Sequence, residues 1–109
     1  VSEQMARYLR PQESGTKSNV RFAKLMNKKG RGLLIVGNDM AFSALGHTPG
    51  EIEEALHGYE LGRSHATVIK TGIIAGAVGG DDSWGATPLS QFSMDTSKPL
   101  KHSIYIKGI

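Results

Sequence analysis

The chain has 109 residues, a formal net charge of +3, 39% apolar residues and no Cys. That length suits one small domain, residues 1–109, with a modest core. The missing Cys excludes a disulfide framework, a zinc–thiolate site and a thiol nucleophile. No apolar run reaches the roughly 18 residues of a membrane span, and the mild basic excess is not that of a dedicated nucleic-acid binder. Neither membrane nor nucleic acid is therefore expected as a partner. No signal-peptide pattern opens the sequence, so a cytoplasmic location is expected. The start at Val1, without an initiator Met, reads as processing or as a segment of something longer.

Residues 1–19 are polar, with Pro11, Gly15 and Asn19, and predict no long regular element. Residues 20–26 predict a strand with Val20, Phe22, Lys24 and Met26 on one face and Arg21, Ala23 and Leu25 on the other. A turn over 27–32 holds Lys28, Lys29 and Arg31 beside Asn27, Gly30 and Gly32. This basic cluster reads as a solvated hairpin turn rather than a polyanion patch. The run Leu33-Leu34-Ile35-Val36 predicts a strand covered on both faces, ended by Gly37-Asn38-Asp39. Residues 40–45 predict a third extended segment with Met40, Phe42 and Leu45 inward.

Thr48, Pro49 and Glu51 spell an N-cap, a first-turn proline and a capping box. They predict the one clear helix, about ten residues long, with Ile52, Ala55 and Leu56 as its apolar stripe and Gly58 as its stop. Residues 66–74 and 89–94 predict further strands. Residues 95–99 predict a turn, and His102, Ile104 and Ile106 alternate through a last strand. Five or six short strands with turns between them predict a mainly β fold, an antiparallel β-sandwich or part of one, with one short helix.

Between these strands lies Gly79-Gly80-Asp81-Asp82-Ser83-Trp84-Gly85, with the sole Trp of the chain. An indole on a glycine-rich loop offers a flat apolar face for a sugar ring. The alternative is a Trp folded back onto the sheet, with the aspartates capping the turn. Asp81 and Asp82 are poor paired acid–base catalysts, because neighbours on an extended chain point apart. The four histidines, His47, His57, His65 and His102, lack metal-ligand spacing.

The stretch 78–86, Val-Gly-Gly-Asp-Asp-Ser-Trp-Gly-Ala, resembles the C-terminal signature of family 2 β-galactosidases, the large multidomain type. Arg10-Pro11-Gln12-Glu13-Ser14-Gly15, Asn19-Val20-Arg21, Phe42-Ser43-Ala44-Leu45, Thr48-Pro49 and Tyr59-Glu60-Leu61 are similar to other segments of that family in the same order. Ser14 and Asn19 depart from the usual Asn and Asp, and 75–77 from the usual Q-M-G. The resemblance implies the end of the last domain, part of a galactose-mutarotase-like supersandwich. It implies hydrolysis of terminal β-D-galactosides of the lactose type, with the catalytic glutamates on a separate barrel and none in this chain. Trp84 would stack on sugar in the aglycone region, with Gly79, Gly80, Asp82 and Ser83 shaping its loop. The implied partners are the galactoside, and the barrel domain or a large subunit. Magnesium or sodium, where the family uses them, would sit near the barrel, so no cofactor is expected in this chain. A cut piece of sandwich is also expected to self-associate through an edge such as 33–36.

Overall fold

One long strand organises the molecule. A computed structural model describes residues 1–73, 82 and 84–109. Strands β1 (Lys17–Met26), β2 (Gly32–Leu45), β3 (Val68–Gly72) and β4 (Ile104–Gly108) form one antiparallel sheet. β1 lies along one side of β2. The other side is shared end to end: β4 pairs with residues 33–37 of β2, and β3 with residues 41–45. The mainly β, antiparallel prediction with one short helix holds, and the sheet is consistent with a fragment of a β-sandwich. Four strands occur among the described residues, fewer than expected. No helix among them is long and apolar enough to cross a membrane.

The β1–β2 hairpin closes as its sequence predicts. Asn27 Oδ1 accepts the backbone N–H groups of Lys29 (2.8 Å) and Arg31 (3.1 Å). Gly30 takes φ +76°, where a side chain is strained. Lys28, Lys29 and Arg31 are exposed on this turn. β1 starts earlier than expected, at Lys17.

Gly37-Asn38-Asp39 does not end a strand. Pairing steps from Phe22↔Val36 to Val20↔Met40, so β2 bulges through these residues and continues to Leu45. A second irregularity in β1 lies between Lys17 and Val20. Asn19 (φ +56°) and Asp39 (φ +49°) provide the left-handed backbone at the two bulges, a conformation that Asn and Asp tolerate better than most residues. The bulges also reverse the side-chain alternation. Val20 therefore joins Ala23 and Leu25 against the core, and Phe22 and Met26 are exposed. The core centres on Ile35, Met40, Phe42 and Ala44, with Ile69 and Ile104 packed against it.

The strand covered on both faces is 42–45, all buried, and not 33–36. In the latter only Ile35, 1% exposed, is buried. Residues 33–36 are no cut edge either, because β1 and β4 flank them. Along the core face an open groove of about 900 Å³ is lined by Val20, Ala23, Leu25, Phe42, Ala44 and Ile69, among others.

Helix α1 (Pro49–Glu54) has the expected cap. Thr48 Oγ1 accepts the Glu51 N–H at 3.2 Å, and Glu51 Oε2 accepts the Thr48 N–H at 2.7 Å. The helix is shorter than predicted, because Ala55 turns extended (φ −73°, ψ 123°). Ile52 and Ala55 are buried; Leu56 is exposed, and Gly58 opens a single 3₁₀ turn (Gly58–Glu60) rather than stopping a helix. Residues 89–94 are not a strand. Ser90–Phe92 forms a 3₁₀ turn closed by the Phe92 N–H on the Leu89 carbonyl at 2.8 Å. The 95–99 turn is present, with Asp95 Oδ1 accepting the Ser97 N–H at 3.0 Å. The last strand starts at Ile104, two residues later than its alternation suggests.

Candidate functional site

The segment expected to face sugar follows β3, which ends at Gly72. Of its predicted residues, Gly79, Gly80 and Ser83 lie outside the described residues, as do 74–78 and Asp81. Asp82 and Trp84 are described. Asp82 Oδ1 accepts two backbone N–H groups, from Trp84 at 2.7 Å and Ala86 at 3.3 Å. This is an Asx-type turn: a short carboxylate takes the place of a backbone carbonyl and folds the chain over itself. Gly85 then adopts φ +115°, a conformation closed to ordinary side chains. Asp82 thus caps the turn, as one part of the alternative reading expected. Trp84 does not fold back: it is 93% exposed. The indole therefore presents apolar surface on a locally braced backbone. Sequence reasoning overlooked the Ala86 N–H and the Gly85 conformation. The Asp-Ser-Trp spacing held the clue to the first bond, since an Asx turn places a backbone donor two residues after the Asp.

The Arg10–Gly15 segment, part of the same resemblance, lies at the β3 end of the sheet. Lys70 Nζ and Glu13 Oε1 approach to 2.6 Å, tying this loop to β3. Arg10, Pro11, Gln12, Glu13, Pro49 and Ile52 line a cleft of about 450 Å³ between loop and helix.

Two further carboxylates, Glu60 and Glu51, make local hydrogen bonds. Glu60 receives the Leu56 N–H at 2.6 Å, and its other oxygen lies 3.2 Å from His57 Nδ1. These bonds, the Leu56 one foremost, hold its carboxyl below the usual range. The His57 ring stacks on Tyr59 with centroids 5.1 Å apart. Glu51 is likewise lowered, first by the Thr48 backbone bond. Among the described residues no group of three or more His, Asp or Glu is placed to hold a metal ion.

Residues 1–106 match the family described as "Beta galactosidase small chain". The chain belongs to that family. The β-galactosidase of Priestia megaterium is 36% identical over 110 residues, covering all of this chain and 11% of the relative. That of Lactobacillus delbrueckii subsp. bulgaricus is 41% identical over 102 residues, or 92% of this chain and 10% of the relative. The Streptococcus thermophilus β-galactosidase is 37% identical over 111 residues, again 11% of its length. The chain thus spans about a tenth of the length of these curated relatives. The small-chain family is accordingly represented here by a β-rich segment with an outward-facing Trp84.

Proposed function

We propose that this chain is the C-terminal portion of the last domain of a family 2, retaining β-galactosidase acting on terminal β-D-galactosides of the lactose type. Its role is to present Trp84 to the aglycone end of the sugar and to support the catalytic domain structurally. The observation that carries this reading is the bare indole on a turn braced by Asp82, within a chain whose relatives are β-galactosidases. Retaining hydrolysis needs two carboxylates about 5–5.5 Å apart. In this reading they belong to a barrel domain or large subunit working in the cytoplasm. Gly79, Gly80 and Ser83 complete the loop that Asp82 holds.

The test has two arms. The isolated chain should not turn over a chromogenic galactoside; turnover would remove the division of labour. In an enzyme carrying this segment, Trp84→Ala should lower kcat/KM for lactose roughly 3- to 10-fold, the range of one aromatic stacking contact. An unchanged kcat/KM would remove the stacking role.

The family's description as a small chain favours a second reading, a subunit-assembly or free-standing sugar-binding module. Saturable quenching of Trp84 fluorescence by lactose below about 1 mM would favour sugar binding by the chain alone. Co-purification with a barrel-bearing chain would favour assembly.

A further inference from the structure

β3 and β4 run in the same direction along one side of β2, Val68–Gly72 against residues 45–41 and Ile104–Gly108 against residues 37–33. Together they form one interrupted strand. The interruption falls at residues 38–40 of β2, which among the described residues pair only on the β1 side, through Val20↔Met40. This is also the bulge with left-handed Asp39. Between Gly72 and Ile104 the chain makes an excursion that includes Asp82 and Trp84, and no described residue of 73–103 belongs to a strand. Fully extended, residues 73–103 could span roughly 100 Å. The two roots of the excursion are separated only by the step from Gly37 to Ala41 along β2, at most about 13 Å.

Met40 lies at this gap and is 0% exposed. Burial inside a segment is kept when more chain is added around it, unlike exposure. The Met40 sulfur accepts the Thr71 hydroxyl at 3.4 Å, one residue before β3 ends. It also lies over Gly37: a Cβ added there would stand 3.0 Å from Met40 Sδ and 3.4 Å from a methyl of Ile104, the first residue of β4. Ile104 packs against the core cluster that contains Met40. The thioether is thus bonded to one root of the excursion and shares the space over Gly37 with the other. A bulge re-aims the side chain beside it, and an unbranched Met fills the irregular gap that results.

We propose that Met40 is a positioning residue for Trp84: it holds the two roots of the 73–103 excursion at a fixed spacing, and with them the place from which the indole reaches the sugar. The inference rests on the reading of Trp84 as the aglycone contact. Close-packed interiors transmit small displacements rather than absorbing them. A misplacement of about 1 Å arising far from the reacting atoms can cost a reaction heavily. Asp82 braces the turn within the excursion. Met40 sets where the excursion that carries this turn leaves and rejoins the sheet.

The test uses a whole β-galactosidase that carries this segment. G37A sets a methyl group against Met40 Sδ, so the sulfur must shift by a few tenths of an ångström. Gly37 has no positive φ, so its backbone accepts Ala. T71V removes the hydroxyl with little change of shape, and T71S keeps it. M40A is the direct deletion; if it fails to fold, G37A and T71V probe the same junction. G37A and M40A should lower kcat/KM for lactose about 2- to 5-fold. With W84A already in place, the same changes should alter it by less than about 1.5-fold, because a residue acting through Trp84 then has nothing to act on. T71V should move in the same direction as G37A, and T71S should keep the parent value. Equal losses in both backgrounds would make Met40 a purely structural residue and overturn the proposal, as would no loss in either. Hydrogen exchange of the same enzymes separates this inference from the stacking role: peptides within 84–103 should exchange faster in G37A. If W84A leaves kcat/KM unchanged, the stacking role falls and exchange decides. Faster exchange then supports Met40 as the anchor of the excursion, and unchanged exchange overturns it.

Discussion

The Asp82 carboxylate grips the Trp84 backbone at 2.7 Å while the Trp84 side chain remains in solvent. The two residues thus have complementary roles, in which Asp82 fixes the peptide and Trp84 extends the ring. Replacing Asp82 with Ala releases both N–H groups without disturbing the core. Because the site is exposed, the loss in global stability should stay below about 1 kcal/mol. Fluorescence anisotropy of Trp84 should fall, whereas far-UV circular dichroism should not change. An unchanged anisotropy would show that the bond does not restrain the loop.

Trp84 is the sole tryptophan, so its emission reports one site. An indole 93% exposed should emit at long wavelength and be fully open to acrylamide and iodide. Blue-shifted, protected emission from the isolated chain would mean that the ring is covered in solution.

Ile35 is the buried member of its tetrapeptide, at 1% exposure. Ile35→Ala should cost about 2–5 kcal/mol through lost transfer energy and a residual cavity. Val36→Ala, on the open face, should cost less than about 1 kcal/mol. Urea titrations of both variants compare the two faces directly. Equal losses would contradict the one-sided burial.

The capping box makes α1 sensitive to acid. Thr48→Ala should cost about 1 kcal/mol. The bonds from Thr48 lower the Glu51 carboxyl from its usual value of 4.5. A lowered folded value means that the folded state holds this proton more weakly than the unfolded one. The contribution is therefore complete above about pH 4.5 and is lost as the pH falls through the lowered folded value. Glu51→Gln should flatten that part of the stability–pH curve; an unchanged curve would show that the box does not act.

The Glu13–Lys70 pair spans 57 positions of sequence, but both side chains are nearly half exposed. Glu13→Gln should cost no more than about 1 kcal/mol, and the difference should shrink with added salt. A larger, salt-independent loss would mean that the loop depends on this contact for its packing.

Local chemistry was legible in the sequence wherever one short segment contained all the partners. The Thr48–Glu51 box, the Asn27–Gly30 turn, the Asp95 turn and the Asp82 cap each close within a few residues. The β character of 20–26 and 33–36 was legible for the same reason, since side-chain alternation and branching are local. The failures share another cause. Residues 89–94 have strand-like composition, yet their described backbone bonds close a local 3₁₀ turn. Gly37-Asn38-Asp39 has the composition of a terminator, but a partner on each side carries β2 through it as a bulge.

The sequence by itself determined the hairpin, the helix start, the mainly β class and the D-S-W-G turn, because these depend on backbone preferences and bonds a few residues long. Tertiary structure decided which faces those strands bury. Two bulges, with left-handed Asn19 and Asp39, shift the alternation so that Val20 turns inward while Phe22 and Met26 turn outward. Burial on both faces falls at 42–45 because α1 and the Glu13 loop cover the far side there and leave 33–36 bare. Periodicity carries no record of which distant element arrives at a face.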